Sequence, residues 1–96
     1  MARKQGFFDA DFSTQFDESY AALQHNQKAG ADKVIMALLK GETTPGMRIK
    51  PIEPDKVYNE ARINDGDRLV HRIESGTVFF VDIVPHDLIN KYGRKR

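Results

Sequence analysis

The sequence predicts an α+β domain in which a helical hairpin lies on one face of an antiparallel sheet, in the order β-α-α-β-β-β. Three observations carry that expectation. Apolar residues recur at helical spacing between residues 12 and 39. Proline and glycine then punctuate the chain too often for a helix, at Gly41, Pro45, Gly46, Pro51 and Pro54. From residue 57 onward, β-branched and aromatic residues gather in short runs separated by turn signals.

Phe7-Phe8 is read as a short opening strand. Phe12, Phe16, Tyr20 and Leu23, spaced by four, four and three, form the core-facing stripe of the first helix, capped by Asp9, Asp11 or Ser13. The second helix carries Ala31, Val34, Ile35, Leu38 and Leu39 on its apolar side and stops at Lys40-Gly41. Residues 25–30 between them are a connector or a polar first turn, and helices joined so briefly pack antiparallel. Strands follow over 57–63, 68–73 and 77–84, the first two joined by Asn64-Asp65-Gly66 and the last two by Glu74-Ser75-Gly76. The third is apolar on both faces, Val78, Phe80 and Val84 against Phe79, Val81 and Ile83, as a central strand is, with Asp82 interrupting it. A helical turn closes the segment 85–92.

Ninety-six residues, 40% hydrophobic and 30% charged, make one globular domain over 1–96. The lack of cysteine excludes disulfides, thiolate metal sites and cysteine nucleophiles, and fits a reducing cytoplasm. No apolar run reaches the roughly 18 residues of a membrane span, and no apolar h-region follows the first residues, so the chain is expected to be neither exported nor inserted. A net charge of +1 leaves the question of a polyanionic partner to local patches.

The stretch RLVHRIESGTVFFVDIVPHD, residues 68–87, holds the candidate chemistry. Strand alternation puts Arg68, Val70 and Arg72 on one face and Leu69, His71 and Ile73 on the other, with Arg62 joining the arginines. Guanidinium groups so placed suit phosphate oxygens, or they pair with Glu60, Asp67, Glu74 or Asp82. His86 ends the most apolar strand, where an imidazole transfers protons near neutral pH or simply closes a turn, and Tyr92 follows six residues later. His71 reads as a packed strand residue and His25 as a surface one. Lys91, Arg94, Lys95 and Arg96 form a basic tail that docks on RNA or stays solvated. The three histidines lack zinc-ligand spacing, and neither a phosphate-cradling glycine loop nor a nucleophile elbow is present. Neither a metal nor another cofactor is expected.

Residues 61–92, ARINDGDRLVHRIESGTVFFVDIVPHDLINKY, resemble the C-terminal half of the RelE/ParE superfamily of bacterial toxins, which belong to type II toxin-antitoxin systems. The likeness rests on about six positions between Arg62 and Tyr92, supported by the helical hairpin and the strand order. For the RelE-like branch it implies ribosome-dependent cleavage of mRNA. A base helps the ribose 2′-hydroxyl attack its own phosphodiester, an acid protonates the leaving 5′-oxygen, and arginines stabilise the phosphorane. By position the resemblance gives Arg68, His86 and Tyr92 to catalysis, and Arg62, Arg72, Lys91, Arg94, Lys95 and Arg96 to RNA binding. His71 stands where the family usually has tyrosine, and Asn59 and Ala61 where some RelE nucleases carry lysine. The resemblance also implies a cognate antitoxin and leaves two alternatives, a ParE-like gyrase inhibitor and an inactive homologue that only binds protein.

Overall fold

The computed structural model describes residues 7–93. β1 spans Asp9–Phe12, α1 Thr14–Ala21, α2 His25–Lys40, β2 Lys50–Pro51, β3 Asn59–Arg62, β4 Asp67–Glu74 and β5 Thr77–Pro85, and a 3-10 helix, His86–Tyr92, follows. Ser13 starts α1: its hydroxyl accepts the Phe16 amide at 2.9 Å and donates to the Val81 carbonyl at 2.8 Å. Residues 25–30 are the polar first turn of α2, closed by a capping box between Gln24 and Gln27. Gly41 ends α2 at φ 71°, a left-handed conformation that glycine adopts without a steric cost. The opening strand lies two residues later than Phe7-Phe8, because it is the backbone of 9–12 that pairs with β5. Phe12 belongs to that strand and not to the helical stripe. Its ring stacks on Phe80 at 4.7 Å, so the helical spacing to Phe16 is incidental.

The sheet order is β1-β5-β4-β3-β2. β3 to β5 are antiparallel, as expected; β2, which the sequence did not announce, adds antiparallel to β3, and β1 joins β5 in parallel, so the sheet has five strands and is mixed. Long connections through both helices separate β1 from the other strands, and only such connections permit a parallel neighbour. β5 is interior, as its two apolar faces foretold. Its alternation, however, breaks at a bulge: Val70 pairs with Asp82 but His71 pairs with Phe80, leaving Val81 unmatched. Ile83 therefore joins Val78 and Phe80 on the helix side, and Val84 turns to the opposite face, contrary to uninterrupted alternation.

The main core lies between the helices and the sheet, from Phe16, Ala31, Val34 and Leu38 to Ala61, Leu69, Val78 and Phe80. The second face is not open along its length. Ile52, Val70, Val84 and Ile89 form a smaller core there, with Tyr58, Val81 and Tyr92 packed against it. The segment before β3 and the closing 3-10 helix thus cover much of the face that two helices alone would leave bare.

Candidate functional site

The turn between β3 and β4 organises one end of the second face. The Asn64 side chain accepts the amides of Gly66 and Asp67, both at 2.8 Å, which folds the chain back in an Asx turn. Arg68, the second residue of β4, lays its guanidinium over this turn. Its Nη1 donates to the Asn64 carbonyl at 2.7 Å and the Asp67 carbonyl at 3.1 Å. Its Nε lies 3.5 Å from the Glu60 carboxylate, and both side chains are nearly buried, at 13% and 10% exposure. Nη2 is left without a partner among the described residues. His86 reaches the same end from β5: its amide donates to the Gly66 carbonyl at 2.8 Å, and the residue is exposed. The Arg68 guanidinium and the His86 backbone are therefore tied to one turn, Arg68 nearly buried and His86 exposed.

Tyr92 comes from the far end of the 3-10 helix. Its ring meets Tyr58 edge to face at 6.0 Å, and its hydroxyl donates to the Asp82 carboxylate. Asp82 is buried on β5 beside the bulge, and it also accepts the Ser19 hydroxyl at 2.5 Å and the Ile83 amide at 2.8 Å. Burial first, and then the hydrogen bond and negative charge of Asp82, push the Tyr92 phenol well above its ordinary value. Neither Glu60 nor Asp82 was assigned to the site from sequence. Asp82 did leave a signal, a carboxylate within the most apolar run.

Arg62 stands directly across from Arg68, as face-sharing predicts, but it pairs with Asp65. Arg72 lies on the same face toward the other end, where it pairs with Glu74 and covers the Phe79 ring at 4.5 Å. All three arginines thus have carboxylate partners, Glu60 and Glu74 from the sequence-based set and Asp65 from outside it. Lys91 is exposed, while Arg94, Lys95 and Arg96 lie outside the described residues. His71 is buried and His25 exposed, as read from their places in the chain. Among the described residues, no three or more His, Asp or Glu are grouped to hold a metal. Among the described residues, too, no helix is long and apolar enough to cross a membrane. Two clefts lie on other surfaces: about 370 Å³ lined by Phe8, Leu38, His71 and Ile73, and about 310 Å³ lined by Phe12, Phe16, Tyr20 and Asp32.

No family model and no curated protein matches the chain. Solved structures do. YafQ in the DinJ-YafQ complex of Escherichia coli superposes with a TM-score of 0.74 at 16% identity, covering 83% of this chain and 94% of that one. A chain of the toxin-antitoxin complex RelBE2 of Mycobacterium tuberculosis gives a TM-score of 0.66 at 19% identity, covering 83% and 99%. The YoeB dimer of Staphylococcus aureus gives 0.68 at 19%, covering 82% and 97%. Over about four fifths of its length, the fold of this chain is that of the RelE/YafQ-type toxins of toxin-antitoxin systems.

Proposed function

We propose that the chain is a toxin of a type II toxin-antitoxin system that cleaves mRNA on the ribosome. What supports the reading is that one β3–β4 turn holds both the Arg68 guanidinium and the backbone of the exposed His86, on a fold shared with toxin structures. In the proposed reaction the 2′-hydroxyl gives its proton to a water molecule and attacks the adjacent phosphorus. The bond to the 5′-oxygen breaks, leaving a 2′,3′-cyclic phosphate and a 5′-hydroxyl. His86, exposed at the head of the closing 3-10 helix, protonates the leaving oxygen. Arg68, already ordered by the turn, offers its free Nη2 to the phosphorane and loses little freedom in doing so. Tyr92, given to catalysis by the family resemblance, supports the RNA backbone instead, because its hydroxyl is held by Asp82, and Arg62, Arg72, Lys91, Arg94, Lys95 and Arg96 are the proposed contacts to flanking phosphates. A cognate antitoxin is the proposed resting partner, as the DinJ-YafQ and RelBE2 structures are toxin-antitoxin complexes, and the cytoplasm the proposed place of action.

The ion pairs on all three arginines favour a second reading, a toxin of the ParE kind or an inactive homologue that binds protein without cutting. Induction in a bacterial host, with 5′ ends mapped on translated messages, separates the two. The nuclease reading expects growth arrest and new 5′-hydroxyl ends, lowered about 100-fold or more by His86→Ala. Arrest with intact messages and inhibited DNA supercoiling supports the ParE reading, and harmless overexpression supports the inactive homologue.

A further inference from the structure

Three of the hydrogen bonds to the buried Asp82 come from different parts of the fold: Ser19 on α1, the Ile83 amide on β5 and Tyr92 on the closing 3-10 helix. A carboxylate removed from water costs folding energy unless such donors meet it, and here they are all in place. The bulge at Val81 places Asp82 where both the α1 side and the second face can reach it. We propose that Asp82 is a positioning residue of the proposed site, acting through Tyr92: it holds the phenol in one orientation and keeps its proton committed. This rests on the nuclease reading. It divides the labour, giving proton transfer to His86 and leaving Tyr92 as a fixed neutral wall for the RNA. A phenol that must also break a bond to a buried carboxylate is a poor acid for the leaving oxygen.

Tyr92 is faced by Asp82 from β5, by Tyr58 from the segment before β3 and by Lys91 from its own helix, with Nζ 5.5 Å from the ring centre. Ser19 adds no charge. Tyrosines labelled at Cζ allow each phenol of the full chain to be titrated by NMR, with Tyr20→Phe and Tyr58→Phe assigning the signals. Tyr92 is expected to stay protonated at about pH 10, where free tyrosine is half ionised, and to titrate at least about one pH unit lower in Asp82→Asn. Cleavage is then compared across Asp82→Asn, Tyr92→Phe and the double variant. If Asp82 acts through Tyr92, each single change lowers cleavage roughly ten-fold and the double change costs no more than either alone. Where Asp82→Asn does not fold, Ser19→Ala takes its place in the cycle and the same non-additivity is expected.

Full cleavage by Asp82→Asn alongside loss in His86→Ala overturns this inference and leaves the nuclease reading standing, as does an additive double variant. No cleavage by the unmodified chain, with Tyr92 still titrating high, overturns the nuclease reading and the positioning role together, leaving the Asp82 bond as a contact of the fold.

Discussion

His71 occupies the middle of β4 with 1% of its surface exposed, and its Nδ1 has no partner among the described residues. Desolvation holds the imidazole neutral and lowers its pKa to about 4, against a smaller opposing effect from the Leu69 backbone. Between about pH 6.5 and 4, therefore, the unfolded chain binds a proton here that the folded chain refuses. Stability from this group is intact above about pH 6.5 and falls as pH drops, by roughly 3 kcal/mol in all. Urea unfolding of the native chain between pH 7 and 4.5 should show that loss, and His71→Leu, which removes both the titration and the orphan nitrogen, should flatten the curve by about one proton. Equal pH slopes in the two proteins would contradict the assignment. The packed state of His71 was legible from alternation along β4. That of Arg68 was legible only in part: Glu60 was among its candidate partners, but the carbonyls of its own turn, which hold it in place, were not.

At the scale of elements, the closing 3-10 helix decides where His86 and Tyr92 sit, and it is fixed at both ends. The Pro85–His86 end is tied to Gly66, and the other end stops at Gly93, whose carbonyl accepts the Asp55 amide at 3.1 Å. A side chain at Gly93 has no room: its Cβ would lie 1.9 Å from the Glu53 carbonyl oxygen and 2.9 Å from Ile52. Gly93→Ala is thus expected to push the helix off the 52–55 segment, costing about 1–3 kcal/mol and changing the Tyr92 NMR signals. A cost under about 0.5 kcal/mol with unchanged spectra would mean that the backbone yields freely. The sequence announced the helical turn over 85–92 and the Ser75-Gly76 reversal, where both residues have positive φ. It did not announce the bulge in β5, since a single unmatched residue leaves no trace in a run that is apolar on both faces.

For the whole molecule, the sheet carries a core on each face, and the two have different consequences. Phe80 lies in the main core, stacked with Phe12 and tilted against Phe16 at 5.5 Å. Phe80→Ala is expected to cost about 3–5 kcal/mol, a large share of the roughly 5–15 kcal/mol that holds a domain of this size, and to lower unfolding midpoints everywhere. Ile89 belongs to the smaller core. Ile89→Ala is expected to raise amide exchange first over residues 86–93, before global stability suffers. Uniform exchange increases in both variants would mean that the two cores unfold as one.

Periodicity, turn residues and composition by themselves determined that a helical hairpin precedes three consecutive strands, that β5 is interior and that arginines share a face, because these follow from local geometry along one chain. Family likeness in the hairpin region pointed to the toxin fold. Only the tertiary structure decided that β1 joins in parallel, that β5 changes face at Val81, that a second core covers much of the open face and that Tyr92 is bound to Asp82. Each of these depends on which distant segments meet. A carboxylate in an apolar strand shows that some partner must come, and folding alone chooses the hydroxyls of Ser19 and Tyr92.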